Sequence, residues 1–150
     1  MRFVFSLLVL TVLFSSCAKK KAEEQAAEDK TIIKNYIAAN GLFANESASG
    51  LHYVIDLPGT GDPCNSLSTV RVAYKGYLTN GTVFDESDAE GITFGLQSVI
   101  RGWTEGIPFY KEGGEGILLI PSALGYGTSK VGSIPANSVL IFDIKLIEVL

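Results

Sequence analysis

Six aromatic side chains carry most of the chemistry this sequence could perform: Tyr74, Phe84, Phe94, Trp103, Tyr126 and Phe142. Trp103 is the one tryptophan of the chain and sits in "VIRGW", just behind apolar Val99 and Ile100. Tyr126 lies between two glycines in "GYG", a poor place for a core residue. Asp85 follows Phe84 directly, so a carboxyl flanks an apolar surface. A concave apolar site with a few placed polar groups is the usual form of a ligand pocket. For any single ring, the competing reading is plain core packing. The motifs that are missing narrow the choice. The chain has no GxSxG elbow, HExxH pair or Walker loop. Its single histidine, His52, has no partner at ligand spacing and reads as a surface residue of a strand. No metal site, cofactor or His-driven acyl transfer is expected.

Composition sets the frame. A chain of 150 residues, 47% hydrophobic and 10% aromatic, suffices for one packed domain plus appendages. The net charge of −4 offers no basic patch, so nucleic acid is not an expected partner. Sixteen glycines against five prolines favour a turn-rich sheet over a helical bundle.

The first residues read as an export signal. Arg2 is followed by a short apolar run, Phe3 to Phe14, and then by Ser15, Ser16 and Cys17. Such a run is too short to span a membrane. The cysteine directly after small residues resembles a bacterial lipobox, in which it is lipidated and becomes the mature N-terminus. Phe14 stands where leucine is usual. Ordinary signal cleavage near Ser16, with Cys17 incidental, is the other reading. Removing residues 1–16 takes away Arg2 and no acid, so the net charge moves from −4 to −5. Lys19, Lys20 and Lys21 could then touch anionic headgroups or simply begin a polar tether. With Cys17 acylated, Cys64 has no partner for an internal disulfide, and in its Gly/Pro/Asn-rich loop it reads as a tolerated thiol.

The elements that must position the rings follow from periodicity. Ile32, Ile33, Tyr36 and Ile37 fall on one helical stripe, which predicts an amphipathic helix over roughly residues 23–39, ended by Asn40-Gly41. That stripe must bury against its own domain or a second copy; the sequence leaves both open. Residues 41–50 read as a linker. "LHYVIDL" (51–57) and "TVRVAYKGYL" (69–78) alternate as strands. Asn80-Gly81 predicts a type I′ hairpin turn into Val83-Phe84-Asp85. "ITFGL" and "GILLI" are further strands, and "VIRGWTEGI" has room for one short helix. The final run sets Leu140, Phe142, Ile144 and Leu146 on one face, with Asp143 and Lys145 opposite. The class is α+β: an antiparallel sheet with one short helix on its apolar face. The expected division is a signal over 1–16, a tether and helix over 17–50, and a globular domain over 51–150.

Four motifs, "AYKGYLTNGTVFDES", "VIRGWTEGI", "PSALGYG" and "IPANSVLIFDIKL", resemble the FKBP-type peptidyl-prolyl cis-trans isomerases. The resemblance covers roughly residues 52–150 and implies a twisted antiparallel sheet wrapped around a short helix, with a pocket between them. Carried onto this chain, it implies substrate contacts at Tyr74, Phe84, Val99, Trp103, Ile134 and Phe142, with Trp103 as the floor. It implies that the Ile100 N–H and the Tyr126 hydroxyl are polar hooks for a ligand carbonyl. Asp85 would have a secondary role, orienting Tyr126 or polarising the pocket. The sequence departs from the family pattern at Ile92, where an aromatic wall is common, and at Ser133 and Ala136, and it is short over Phe94–Val99.

The implied function is acceleration of X–Pro isomerisation, assisting the folding of exported proteins from a lipid anchor at Cys17 on a bacterial envelope membrane, facing the periplasm. The implied partners are proline-containing unfolded or partly folded polypeptides, with macrolides as inhibitors. The competing function is a membrane-anchored chaperone or docking module of the same fold with little turnover.

Overall fold

The computed structural model describes the backbone of residues 4–150 and the side chains of residues 17–150. The signal segment expected at residues 1–16 lies outside the described side chains. The elements in chain order are α1 (Val4–Asn40), β1 (Asn45–Glu46), β2 (His52–Leu57), β3 (Thr69–Leu78), β4 (Val83–Glu86), β5 (Ile92–Gly95), α2 (Arg101–Gly106), β6 (Glu115–Ile120) and β7 (Leu140–Val149). The seven strands form one sheet in the order β1-β2-β6-β7-β3-β4, with β5 also pairing with β3. Every pairing is antiparallel. The α+β class expected from the sequence is therefore the one observed. Its backbone is the long β3–β7 pair, which runs from Val70↔Val149 to Leu78↔Leu140 with one register shift between Arg71 and Val72.

Helix α1 ends where expected, at Asn40, and the Leu42 N–H closes it by donating to the Ile37 carbonyl at 3.0 Å. It begins well before residue 23. The run "AKKKAEEQAAEDK" is made of strong helix formers. It also carries i,i+4 ion pairs, Lys19–Glu23 at 4.0 Å and Lys20–Glu24 at 3.8 Å, each adding only tenths of a kcal/mol. Among the described residues, no helix is long and apolar enough to cross a membrane.

The apolar stripe of α1 finds its own domain. Ile33 is fully buried in a cluster with Val54, Leu119 and Val139, and Ile32, Tyr36 and Ile37 pack against it. The helix thus covers the outer face of the sheet. Lys30 adds an edge contact, its ammonium 2.6 Å from a Glu46 carboxyl oxygen on β1. That hydrogen bond holds the Glu46 carboxyl below the usual range, against a smaller opposing effect of desolvation.

Two expectations fail because of this second layer. His52 is not a surface residue: it is only 4% exposed. Its Nδ1 lies 3.0 Å from the Gly50 carbonyl and its Nε2 3.7 Å from Glu46. Alternation correctly puts His52 and Val54 on the face opposite Leu51 and Tyr53, but that face is covered. Residues 41–50 are not merely a linker, since Asn45 and Glu46 pair with Tyr53 and His52. The hairpin turn also differs. Gly81 has φ +85°, whereas Asn80 does not adopt positive φ. The Gly81 N–H donates to the Leu78 carbonyl at 2.8 Å and the Leu78 N–H to Thr82 at 2.9 Å, forming a three-residue loop with one left-handed position. The Asn80 side chain accepts from the Thr82 N–H at 3.0 Å, which explains its presence without a type I′ turn.

The inner face of the sheet is covered by α2. A Cβ placed at Gly102 would lie 2.5 Å from Ile120 Cγ2, and one at Gly106 would lie 2.7 Å from Leu118 Cδ2. These glycines are four apart, so they share one face of the helix. Their bare backbone lets α2 lie directly on β6. Trp103 is thereby placed inward, in the main core with Val70, Leu118, Leu140 and Phe142.

Gly102→Ala tests this packing. In an open helix the change would gain up to about 1 kcal/mol. Here the new methyl overpacks Ile120, at a cost of about 1–3 kcal/mol. Urea unfolding should show a net loss of stability; a gain would mean that α2 has room to spare.

Candidate active site

Each segment of the "AYKGYLTNGTVFDES" and "VIRGWTEGI" runs delivers side chains to one concavity. Tyr74 comes from β3, Phe84 and Asp85 from β4, Phe94 from β5 and Phe142 from β7. Val99 and Ile100 sit at the entry to α2, and Trp103 lies in its first turn. Tyr126 and Ile134 arrive on the long loop between β6 and β7. Together these residues line a cavity of about 610 Å³. All nine residues assigned to the site from the sequence border it, as do all six rings of the aromatic set.

Five of the six rings, all but Tyr126, pack on one another, mostly edge to face. The centroid of Trp103 is 5.0 Å from that of Tyr74, 5.4 Å from Phe94 and 5.4 Å from Phe142, with interplanar angles of 87°, 81° and 80°. Phe84 meets Phe142 at 5.5 Å and 81°. Such pairs add about 0.5–1.5 kcal/mol each beyond burial. Trp103 is only 4% exposed, so it is both core and floor. Its Nε1 is buried without a hydrogen-bond partner among the described residues.

Polar groups are few. Ile100 is the N-cap of α2, with φ −59° and ψ 147°. Its carbonyl accepts from the Trp103 N–H at 2.9 Å, while its own N–H makes no hydrogen bond among the described residues. Asp85 accepts a 2.7 Å hydrogen bond from the Tyr74 hydroxyl. Its partner is thus Tyr74, not the Tyr126 considered from the sequence. Burial first, and then the Asp85 hydrogen bond and charge, push the Tyr74 hydroxyl well above the ordinary phenol value, so it stays a donor. Tyr126 is 38% exposed at the rim.

Sequence reasoning assigned no role to Ser98, Val131, Gly132 or Ser133, and named Phe94 only as one of the rings; all five line the cavity. Phe94 pairs in register with Val70, and its alternation with Ile92 was the signal for it. Val131 and Ile134 face each other across a tight turn, with N–H to carbonyl distances of 3.0 and 2.8 Å. No local pattern forecasts that turn. Ile92 is exposed and outside the lining. Among the described residues, no group of three or more His, Cys, Asp or Glu could hold a metal ion.

This architecture has counterparts among known proteins. A profile described as FKBP-type peptidyl-prolyl cis-trans isomerase matches residues 61–147. The chain belongs to that family. It is 41% identical over 134 residues to the FKBP-type peptidyl-prolyl cis-trans isomerase FkpA of Buchnera aphidicola (Schizaphis graminum), covering 87% of this chain and 52% of that protein. Against FkpA of Escherichia coli K12 it is 40% identical over 141 residues, covering 89% and 51%. The chain therefore spans about half the length of the curated relatives it matches. The crystal structure of Escherichia coli FkpA superposes with a TM-score of 0.73 at 37% identity, over 96% of this chain and 70% of that one. A peptidyl-prolyl cis-trans isomerase from Pseudomonas syringae also gives 0.73, at 34% identity, over 85% and 94%.

Trp103→Ala should lower the unfolding free energy by about 3–5 kcal/mol, because a large buried ring leaves a cavity at the junction of three others. Denaturant titration measures it. A loss below about 1 kcal/mol would contradict the packing described.

Proposed function

We propose that this chain is a peptidyl-prolyl cis-trans isomerase acting on proline-containing, partly folded polypeptides. The observation that carries the reading is the cavity itself: six rings, the unpaired N–H of Ile100 at the helix entry, and no nucleophile–base pair of the Ser–His or Cys–His kind among its lining residues. The barrier to rotation, about 18–20 kcal/mol, is lost amide resonance. A nucleophile or a metal is not required to lower it. As the X–Pro amide twists, charge leaves its oxygen and the nitrogen pyramidalises. A dry aromatic surface favours that state over the planar, well-solvated amide.

In this reading Phe84, Trp103 and Phe142 grip the proline ring, with Tyr74, Val99 and Ile134 closing the walls. The Ile100 N–H holds a carbonyl beside the bond that turns, and the Tyr126 hydroxyl holds a second group at the rim. Asp85 keeps the Tyr74 hydroxyl turned away from the apolar floor. We further propose that residues 1–16 are a signal and that Cys17 is lipidated, so that residues 17–50 tether the domain of residues 51–150 to an envelope membrane facing the periplasm. Cys17 is exposed and followed by Lys19–Lys21, which suits an anchor at an anionic surface. Any pairing of two copies through α1 would leave out its Ile33 stripe, which packs on the chain's own sheet.

The direct test is the cis-to-trans rate of a short X–Pro peptide with and without protein. Micromolar protein should accelerate it; no acceleration would leave a docking module. Tyr126→Phe should lower kcat/KM roughly two- to tenfold, the worth of one neutral hydrogen bond of about 0.5–1.5 kcal/mol. Rapamycin should quench Trp103 fluorescence, and a Trp103→Leu variant with full activity would exclude the floor role. Fatty-acid labelling lost in Cys17→Ala would support the anchor.

A further inference from the structure

The loop that brings Tyr126 and Ile134 to the cavity is anchored from outside the isomerase sheet. Asp29 of α1 is only 1% exposed, although it lies in the otherwise solvated stretch "AEEQAAEDK". One of its carboxyl oxygens accepts both hydrogen bonds that Ser122 can donate: from the backbone N–H at 2.8 Å and from the hydroxyl at 2.6 Å. The other oxygen accepts from Gln25 Nε2 at 2.8 Å. Ser122 is itself 2% exposed and opens the loop. Its carbonyl accepts from the Gly125 N–H at 3.0 Å and the Gly127 N–H at 2.8 Å, the two residues flanking Tyr126. The Gly127 carbonyl then accepts from the Asn137 N–H at 2.7 Å, closing the loop. Asn137 sits there at φ +58°, the left-handed region that asparagine tolerates better than most non-glycine residues. A continuous hydrogen-bonded path thus runs from α1 to both ends of the segment that bears Tyr126 and Ile134.

We propose that Asp29 is a positioning residue for catalysis: through Ser122 it fixes the rim of the cavity, making α1 part of the site rather than only its tether. The proposal rests on the isomerase reading given above. A group held by a loop contributes only when the loop is already in place, and a misplacement of about 1 Å can cost up to a hundredfold. Loss of this anchor leaves the floor, built on β3, β7 and α2, untouched. Its effect therefore falls on binding of the peptide at the rim, and so on KM more than on kcat.

The test uses the full chain and four variants: Asp29→Ala, Asp29→Asn, Ser122→Ala and Lys30→Ala. Asp29→Ala should lower kcat/KM roughly tenfold, mainly through KM, at a temperature well below its unfolding transition. It should also speed amide hydrogen exchange at Ser122, Gly125, Gly127 and Asn137, and leave the β3–β7 amides as in the parent. Asp29→Asn keeps an acceptor for Ser122, and the Gln25 amide can turn to match it, so activity and protection should largely return. Ser122→Ala removes one of the two bonds and should fall between; it keeps the question answerable if Asp29→Ala does not fold. Lys30→Ala cuts the α1 ion pair to Glu46 at the sheet edge, away from the loop, and should leave kcat/KM unchanged. Parental kcat/KM and exchange in Asp29→Ala, or an equal loss in Lys30→Ala, would overturn the proposal. If the parent chain shows no isomerase activity, that reading fails, while the exchange pattern still decides whether Asp29 holds the loop.

Discussion

The contact on which the rest depends is the seat of α2 on β6. Two glycines with no side chain, Gly102 and Gly106, let six residues of helix lie against Ile120 and Leu118 closely enough that Trp103 becomes part of the core. With its floor fixed this way, the cavity needs no large scaffold. Strands β3, β4, β5 and β7 present rings from the sheet, and the helix entry presents Val99 and the free N–H of Ile100. A looser helix would let water under the indole and leave the three edge-to-face contacts unmade.

The same packing makes the chemistry unusual in what it omits. The cavity holds one carboxyl, Asp85, and that group is engaged by the Tyr74 hydroxyl at 2.7 Å. Burial keeps Tyr74 protonated throughout the working range. Under the proposed isomerase function, catalysis comes from differential solvation and from a few fixed dipoles, which act most strongly where water is excluded. The loop that completes the rim reaches the core through Leu124 and Ile134, and its first residue, Ser122, is anchored on α1 through Asp29.

The floor of the site was legible in the sequence because its residues occupy regular strands and one short helix, where period-2 alternation and a lone Trp between Arg-Gly and Thr-Glu-Gly are visible. The family resemblance then joined segments that spacing alone could not bring together. What was illegible depends on tertiary cover. His52 and Val54 look like the wet face of β2 until α1 is laid across them. Asn80-Gly81 looks like a type I′ turn until the hydrogen bonds of Leu78 enforce a three-residue loop. Asp29 is one acid among several in a charged run, yet it sits one turn before Ile33 on the stripe that is buried. A polar residue on an apolar stripe was the available signal, and its partner, 93 residues away, was not.

The central claim is that an aromatic cavity turns the amide without transferring a proton, its one carboxyl, Asp85, being held by the Tyr74 hydroxyl. The pH dependence of kcat/KM for a short X–Pro peptide tests it most directly, between about pH 6 and pH 9, where histidines and thiols ordinarily titrate. The account predicts a flat profile and the same rate in heavy water. A bell-shaped or sigmoidal profile in protein that stays folded, or a marked solvent isotope effect, would contradict it.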